Sequence, residues 1–388
     1  MTEVADIFRV YGQTYCEKHR LPLYMYKVMN SIESCRTAKL GGHIDVCDNC
    51  GHQRISYNSC RNRHCPKCQN LNIEKWIGKR KNELLPVQYY HVVFTIPDDL
   101  NNLALRNKRV IYSLLFKASS ETLKELARDK KYLGAKIGFI SILHTWGQNL
   151  MDHPHIHCIV TGGGISLDKN KWIKTKNDFF IPIKVLSSLF KGKFLYYLKR
   201  EYKKDNLDFT GLISPLKSNK NFQSLLNTLY QKNWVVYCKP SFCSPEYVIE
   251  YLGRYTNKVA ISNHRIVNLA DNKVTFKWKD YSDKNKTKNM TIDVLEFIRR
   301  FLLHVLPNGF VRIRYYGLLG NRYKKSNLEL CQEMLNVYDT DIKKNTEETW
   351  QEIYFRLTGK DITACPKCHK GRMILQQSIR PSPNFKVA

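Results

Sequence analysis

The sequence is poor in acidic residues. Only 34 of its 388 residues are Asp or Glu, against 63 Lys and Arg, so the formal net charge is +29. A surplus of this size favours a polyanionic partner, and nucleic acid is the first expectation because neutralised phosphates release condensed counterions. An anionic membrane surface is the lesser expectation, since neither end of the chain carries an isolated basic amphipathic helix.

Long apolar segments are also absent. No run of about 18 or more apolar residues occurs, which excludes a typical membrane-spanning helix. The first residues, Met1, Thr2 and Glu3, lack a basic, apolar and cleavable leader, so we expect no secretion. The expected location is the cytoplasm.

The phosphate-binding loop Gly-x4-Gly-Lys-Ser/Thr is missing as well. We therefore expect no nucleotide hydrolysis, and any unwinding of a nucleic acid must come from another protein such as a helicase. With 43% hydrophobic and 12% aromatic residues the chain can bury a sizeable core, which excludes wholesale disorder. At about 150 residues per domain, the length predicts two or three domains.

Cysteine is concentrated near the N-terminus. Five of the 13 cysteines fall within 22 residues, and without a secretory leader they indicate metal ligands rather than disulfides. The pairs Cys47-x2-Cys50 and Cys65-x2-Cys68, separated by 14 residues, approach the spacing of a zinc ribbon. We expect these four thiolates to bind a structural Zn²⁺ ion, the alternative being two surface pairs without metal.

Further cysteines and histidines leave other sites open. Four unassigned residues in the same stretch would suit a second, interleaved zinc ion, namely Cys35, His43, Cys60 and His64. Such combinations also arise by chance, so a module with a single ion is the alternative. Near the C-terminus, Cys365-Pro-Lys-Cys368 supplies half of a zinc site, which another segment or subunit could complete, or a pair of idle thiols.

Hydrophobic patterns outline the rest of the chain. Runs of β-branched and aromatic residues predict strands at 88–96, 137–146 and 155–161, the last ending in three glycines. Helical periodicity predicts a helix over 107–133, and Asp293 is a good N-cap for a later helix. Residues 167–243 are interpreted as a basic, mostly helical insertion.

His155-Ile-His157 lies within the third predicted strand, so both imidazoles face the same side of it. Two convergent imidazoles are a ready clamp for a divalent cation, although a structural histidine pair is the alternative. His144 lies on the preceding strand, and a hairpin would place it across from this pair, which makes it our expected third ligand. The rival third ligands are Gln148, His153 and His264.

Residues 244–246 (Ser-Pro-Glu) predict a helix start, and Tyr251 and Tyr255 lie one turn apart on that helix. A tyrosine hydroxyl can attack a phosphodiester and form a covalent phosphotyrosine, which conserves the bond energy for rejoining. With an ordinary pKa of about 10, it needs a nearby metal that polarises the phosphate. Tyr255 lies near an apolar stripe and could be a core residue, whereas Tyr251 is offset toward Arg254 and Lys258.

In combination these motifs resemble the HUH-type tyrosine transposases of the rolling-circle insertion-sequence family (IS-ninety-one type). Any one motif is modest, and the resemblance rests on their order along most of the chain. The matching segments are 59–69 (SCRNRHCPKCQ), 92–97 (VVFTIP), 144–148 (HTWGQ), 153–157 (HPHIH), 162–164 (GGG), 251–255 (YLGRY), 260–263 (AISN) and 311–317 (VRIRYYG).

The resemblance implies an α+β fold. Its main part would be an HUH endonuclease domain with a central antiparallel sheet flanked by helices, accompanied by an N-terminal zinc-ribbon-like module and a small C-terminal region. We expect a zinc-binding DNA-recognition domain with a linker helix at 1–85 and the single-strand nuclease domain, including the insertion, at 86–325. A C-terminal region with the CxxC pair and a flexible tail would occupy 326–388.

The resemblance also implies the chemistry. His155 and His157 would hold Mg²⁺ or Mn²⁺, and a tyrosine would cut single-stranded DNA at the element's ends, leaving a 5′-phosphotyrosine and a free 3′-hydroxyl. Tyr251 and Tyr255 match the two-tyrosine pattern, and whether both act stays open. The expected function is rolling-circle-type transposition. The alternatives are a replication initiator, a relaxase and a non-catalytic zinc-dependent DNA-binding regulator.

Basic residues interleaved with aromatic ones would suit single-stranded DNA, which needs a positive groove and stacking platforms. Segments 189–204 and 312–325 have this composition. The residues that we expect to contact single-stranded or element-end DNA are Arg61, Arg63, Arg254, Lys258, Arg312 and Arg314. Bound to DNA, the protein would be associated with the nucleoid of a bacterial cell, whereas its oligomeric state does not follow from the sequence.

Overall fold

The computed structural model describes residues 2–176, 180–240, 247, 249, 250, 253, 260–280, 283–337 and 348–382. The helices of this part of the chain are α1 (Val4–Lys18), α2 (Leu23–Ser34), α3 (Gln69–Lys81), α4 (Asn101–Arg106), α5 (Lys108–Arg128), α6 (Ile183–Lys203), α7 (Asn219–Gln231), α8 (Val294–Leu303), α9 (Lys324–Met334) and α10 (Trp350–Thr358). Its strands are β1 (Gly42–Cys47), β2 (Gln53–Tyr57), β3 (Tyr89–Thr95), β4 (Ala135–Trp146), β5 (Asp152–Ser166), β6 (Trp172–Lys174), β7 (Val236–Pro240), β8 (Ile266–Ala270), β9 (Lys273–Asp280), β10 (Lys286–Asp293), β11 (Ile313–Gly317) and β12 (Met373–Ile379). The predicted α+β class is confirmed.

A central antiparallel sheet has the strand order β11-β4-β5-β3-β7, with β6 paired to β5 off this path. β5 continues through the three glycines, at which the sequence predicted its end. A Cβ atom on Gly162 would lie 2.4 Å from the carbonyl oxygen of Gln88, and one on Gly164 would lie 2.3 Å from that of Lys136. Glycine is therefore required where the backbones on both sides of β5 approach most closely.

Side-chain alternation gives the sheet two different faces. One face belongs to the main core, where Val92, Phe94 and Ile156 are fully buried with α5 and α6, and Phe94 lies 4.9 Å from Phe190 between ring centroids. A buried phenylalanine contributes about 1.5–3 kcal/mol, so this face supplies much of the domain's stability. The opposite face carries a smaller apolar cluster with α3 and leaves room for polar side chains.

The segment predicted as an insertion contributes directly to this domain. Helices α6 and α7 agree with the expected helical character, and α6 packs on α5 in the main core. Strands β6 and β7 pair with β5 and β3, so the segment also supplies two strands of the central sheet.

A second core joins the N-terminal helices to a later part of the chain. It combines α1, α2 and α8 with strands β8–β10, and Phe8 meets Phe301 edge to face at 5.3 Å. Asp293 caps α8 as expected, since its side chain accepts hydrogen bonds from the backbone N–H groups of Leu295 and Glu296. The first two helices of the chain therefore pack on an element almost 300 residues away, not only on the adjoining cysteine-rich module.

The third sheet has the order β12-β1-β2. Strand β1 pairs with β2 along one edge and with β12 along the other, with Gly42 opposite Ile379 and Cys47 opposite Met373. The C-terminal segment that the sequence set apart as a separate region thus completes the sheet of the N-terminal module.

Candidate active site and metal centres

Three histidines converge on one face of the central sheet. His144 on β4 lies directly opposite His155 on β5, and His157 follows on the same side of β5 because side chains alternate along a strand. Their potential ligand nitrogens all lie within 4.8 Å of one another. The ring centroid of His144 is 4.5 Å from that of His157 and 5.3 Å from that of His155. The structure therefore brings together the three residues that the sequence proposed as a set.

Hydrogen bonds fix two of these rings. Nδ1 of His155 donates to the backbone carbonyl of His153 at 2.6 Å. Nδ1 of His157 lies 2.8 Å from Nε2 of His91 on β3. These contacts occupy Nδ1 of both rings, so Nε2 is the nitrogen of each that can serve as a metal ligand. Sequence reasoning missed His91, whose only signal was its place in the strand motif 88–96.

Burial keeps these imidazoles neutral. It lowers the pKa of His155 to about 4 and that of His157 well below its ordinary value, and neighbouring positive charge, including Arg312, lowers the latter further. A neutral imidazole is the form that binds a metal. Three imidazole nitrogens suit a transition-metal dication better than Mg²⁺, which prefers oxygen ligands.

The rival third ligands are not part of this cluster, although the ring of His153 is a neighbour of the His155 ring, with centroids 5.1 Å apart. His153 points toward Asp98, with 4.0 Å between its Nδ1 and the carboxylate, and nearly half of its side chain is exposed. His264 is exposed beside Ser262, and the backbone of Gln148 accepts a hydrogen bond from Arg265. Among the described residues, the histidine cluster with metal-ligand geometry consists of His144, His155 and His157.

Helix α3 covers the sheet face next to this cluster. Ile73 and Ile77 of α3 are buried in one apolar cluster with Ile142, Ile159 and Ile249. A Cβ atom on Gly253 would lie 2.4 Å from Cγ1 of Ile77, so the backbone at Gly253 rests directly on α3. Glu250 and Gly253 are the described residues nearest in sequence to the predicted nucleophiles, and the carboxylate of Glu250 lies 2.5 Å from Nζ of Lys81 on α3. Tyr251, Tyr255, Arg254 and Lys258 themselves, and the predicted helix start at 244–246, lie outside the described residues.

The thiols are grouped differently from the prediction. One cluster contains Cys35, Cys60, Cys65 and Cys68, and the other contains Cys47, Cys50, Cys365 and Cys368. The proposed set of Cys47, Cys50, Cys65 and Cys68 is therefore not brought together. The hairpin β1–β2 explains this, because five steps of about 3.3 Å along β1 carry Cys47 roughly 16 Å from the hairpin's base. Cys35, Cys60 and the start of α3 lie at the base.

The two histidines of the proposed second zinc set are also outside both clusters. Nε2 of His43 lies 3.6 Å from the carboxylate of Asp45. His64 is buried, and its Nε2 accepts a hydrogen bond from the backbone N–H of Leu306. Burial lowers the pKa of His64 well below its ordinary value, which suits this role as a neutral acceptor. Of the proposed second set, only Cys35 and Cys60 are together.

Comparison with known proteins identifies the chain's family. A family model described as "Putative transposase" matches residues 138–327, and one described as "Transposase zinc-binding domain" matches residues 7–96. The "Putative transposase y4qJ" of Sinorhizobium fredii is 49% identical over 374 residues, which cover 96% of this chain and 94% of that protein. The chain is an IS91-type transposase with an N-terminal zinc-binding domain.

Further known proteins match the transposase over a smaller part of its sequence. The "Transposase for insertion sequence element IS801" of Pseudomonas savastanoi pv. phaseolicola is 26% identical over 335 residues, covering 84% of this chain and 76% of that protein. A solved structure of the conjugative relaxase TrwC in complex with oriT DNA covers 43% of this chain and 71% of the relaxase, with 12% identity and a TM-score of 0.25. No described helix of the transposase is long and apolar enough to span a membrane.

The predicted DNA-contacting arginines of the transposase occupy different environments. Arg61 is exposed, whereas Arg63 donates to the backbone carbonyls of Phe310 and Pro307 at 2.6 and 3.0 Å. Arg63 therefore links the zinc-binding domain to the loop before β11. Arg312 lies 4.9 Å from the ring centroid of Trp146, which stacks on His144, whereas Arg314 lies over Phe116 of the main core. Arg312 is thus the arginine of this set that borders the histidine cluster.

Proposed function

We propose that the transposase cleaves and rejoins single-stranded DNA at the ends of its element through a tyrosine nucleophile. The observation that carries the proposal is the convergence of His144, His155 and His157 on a sheet face covered by α3, with Ile249 and Gly253 of the tyrosine-bearing segment packed on the same helix. A polarising site and a segment with a nucleophile are the two parts that phosphoryl transfer to tyrosine needs.

The three histidines would hold a divalent cation, Mn²⁺ or Mg²⁺. When bound, such an ion polarises the scissile phosphate and stabilises the charge that develops on its oxygens. His155 and His157 are oriented for this role by His153 and His91, and Arg312 adds a positive charge close to the site. Their burial holds the rings in one geometry, which favours in-line positioning of the phosphate.

Tyr251 and Tyr255 are the proposed nucleophiles. The hydroxyl of one of them loses its proton as its oxygen forms a bond to phosphorus, the P–O3′ bond breaks, and the departing 3′-oxygen takes up a proton. The products are a 5′-phosphotyrosine and a free 3′-hydroxyl. In the reverse step a 3′-hydroxyl displaces the tyrosine, so the number of phosphodiester bonds is conserved and no nucleotide hydrolysis is required.

The zinc-binding domain and the basic surface are the proposed DNA-recognition parts. Cys35, Cys60, Cys65 and Cys68 would bind a structural Zn²⁺ ion, because four thiolates at this spacing form a closed tetrahedral site. Recognition of element ends is proposed for this domain, with Arg61 as an exposed phosphate contact. Arg254, Lys258 and Arg312 would contact the strand near the cleavage site. Duplex opening would depend on host replication proteins.

Covalent-adduct formation tests the proposal. The full-length protein is incubated with labelled single-stranded oligonucleotides that span each end of the element, with Mn²⁺ or with a chelator, and adducts are resolved on denaturing gels. We expect an adduct with Mn²⁺ that disappears in Tyr251→Phe/Tyr255→Phe and in His157→Ala. Each single tyrosine variant then reports whether one or both act.

Tyr247→Phe is the matched control, because Tyr247 lies on the same segment and is exposed. It should form the adduct as the unmodified protein does. Specific binding of the end oligonucleotides without any adduct would overturn the proposal and favour a non-catalytic zinc-dependent regulator. An adduct that persists in the double tyrosine variant would assign the nucleophile to another residue.

A further inference from the structure

The second thiol cluster consists of Cys47, Cys50, Cys365 and Cys368, which come from distant parts of the chain. Cys47 is the last residue of β1 and Cys50 follows that strand, whereas Cys365 and Cys368 precede β12, more than 310 residues later. Sγ of Cys47 lies 3.7 Å from that of Cys368, and Sγ of Cys50 lies 3.7 Å from that of Cys365. A disulfide requires about 2.05 Å, whereas the edge of a tetrahedron of four sulfurs with arms of about 2.3 Å measures roughly 3.8 Å. The separations thus match a tetrathiolate zinc site.

The two cysteine pairs have the same local geometry. In each, the residue after the second cysteine donates its backbone N–H to the carbonyl of the first cysteine at 3.1 Å, as Gly51 and His369 do. Both residues have positive φ, 69° for Gly51 and 55° for His369. The second cysteine of each pair also directs its backbone N–H at the first sulfur at 3.5 Å. Two matching turns that present N–H groups to sulfur are suited to stabilising thiolates.

The surrounding contacts hold the turns face to face. Asp48 accepts a hydrogen bond from the backbone N–H of Arg372 through its side chain at 2.8 Å and donates its own N–H to the carbonyl of Arg372 at 3.1 Å. A Cβ atom on Gly371 would lie 2.5 Å from Sγ of Cys47, so only glycine allows this approach. The antiparallel pairing of β1 with β12 continues directly from these contacts.

We propose that Cys47, Cys50, Cys365 and Cys368 bind a second structural Zn²⁺ ion, which closes a zinc ribbon built from the two ends of the chain. Four protein ligands leave no open coordination position, so this ion is structural rather than catalytic. It anchors the C-terminal segment 348–382 to the N-terminal domain.

The anchored segment reaches the helix that covers the histidine face. Arg356 of α10 lies 3.2 Å from the carboxylate of Glu74 on α3, and Ile353 of α10 is buried. Because α3 also contacts Gly253, the ion secures one side of the helix on which the proposed nucleophile segment rests. Loss of the ion should therefore loosen β12 and α10 while leaving the central sheet intact.

Zinc content of the full-length protein provides the first test. Elemental analysis is made on the unmodified protein, on Cys365→Ser/Cys368→Ser, and on Cys16→Ser as a control thiol outside both clusters. We expect the double variant to contain one ion fewer per chain than the other two proteins. Hydrogen exchange should then accelerate in β1, β12 and α10 but not in β4 and β5. Equal zinc content in all three proteins would overturn the proposal.

Thiol accessibility in the unmodified protein gives a test that does not depend on a variant's folding. Cys50 is exposed, so as a free thiol it would react readily with iodoacetamide. We expect Cys50 and Cys368 to resist alkylation in the zinc-loaded protein and to react after chelation, as mapped by mass spectrometry. Rapid alkylation of both residues in the zinc-loaded protein would contradict a metal at this site, as would a disulfide between them.

Discussion

His91 fixes the orientation of the His157 ring in the candidate metal site. Its Nε2 lies 2.8 Å from Nδ1 of His157, and the two rings are stacked nearly parallel with centroids 5.0 Å apart. Such contacts behind a metal ligand fix its orientation and its tautomer. Burial lowers the pKa of His91 to about 4, so this ring stays neutral and adds no charge beside the proposed cation.

We expect His91→Ala to weaken Mn²⁺ binding by about 10- to 100-fold, because His157 loses the partner that orients it. Calorimetric titration of the full-length protein with Mn²⁺ measures the effect. His153→Ala is the matched control, since His153 orients His155 through its backbone carbonyl, which the substitution retains. Equal Mn²⁺ affinity of the His91 variant and the unmodified protein would exclude this positioning role.

Much of the histidine site could be predicted from sequence because it depends on local rules. Alternation along a strand places His155 and His157 on one face, and a short hairpin brings His144 opposite them. His91 could not be assigned in this way. Its contact requires knowing that β3, more than 50 residues earlier, is the other neighbour of β5, and strand order is a property of the complete sheet.

At the scale of elements, α3 packs against Ile249 and Gly253, the two described residues on either side of Tyr251 in sequence that contact its isoleucines. The contact between Gly253 and Ile77 is close enough that no side chain fits at residue 253 without displacing Ile77. Overpacking of this kind costs about 1–3 kcal/mol.

We expect Gly253→Ala to lower the rate of DNA cleavage by roughly tenfold while DNA binding is retained, because the added methyl group moves residue 253 away from Ile77 and misplaces the neighbouring nucleophile. Rates of adduct formation and anisotropy with the same oligonucleotide separate the two effects. Gly78→Ala on α3 is the matched control, since a Cβ atom at residue 78 would meet nothing within 4 Å. A variant at Gly253 that cleaves as fast as the control would show that this contact does not position the nucleophile.

The N-cap of α8 gives a prediction for stability. Asp293→Ala should lower the free energy of unfolding by about 1 kcal/mol, because the N–H groups of Leu295 and Glu296 lose their acceptor. Urea denaturation of the zinc-loaded protein measures the change. Asp293→Asn keeps an acceptor and should be nearly neutral, so equal losses in both variants would argue against a capping role.

Helices and strands with strong local sequence patterns can be predicted from the sequence. The distant elements with which they pair cannot. The strands 88–96 and 137–146, the helix near 107–133 and the cap at Asp293 all correspond to observed elements. The spacing of the cysteines identifies each CxxC pair. It does not show which pairs share a metal ion, and the prediction wrongly combined the two pairs that are closest in sequence. The length of the β1–β2 hairpin separates Cys47 and Cys50 from Cys65 and Cys68, although the two pairs are close in sequence. The pairing of β12 with β1 instead brings Cys365 and Cys368 next to Cys47 and Cys50.

For the whole molecule, the charge of +29 predicts a steep salt dependence. Binding of a single-stranded oligonucleotide should weaken with a slope of roughly −0.7 per neutralised phosphate in a plot of log affinity against log salt. Anisotropy titrations at several salt concentrations provide the slope. Arg61→Gln should make it shallower by about 0.7, because Arg61 is exposed.

Arg63→Gln is the internal comparison, two residues away in the same module. Its guanidinium already donates to the carbonyls of Phe310 and Pro307, so its replacement should leave the slope unchanged. A slope that changes equally in both variants would mean that Arg63 leaves these carbonyls to bind phosphate.

The pairing of β1 with β12 has a consequence for biosynthesis. Once residues 42–57 have emerged from the ribosome, the β1–β2 hairpin can form, yet one of its edges lacks a neighbour until residues 373–379 follow. At about 5–20 residues per second, that interval lasts roughly 15 to 60 seconds. A message truncated before residue 373 would leave this edge open permanently, so the three-stranded sheet of the N-terminal module can be completed only in polypeptides that include β12.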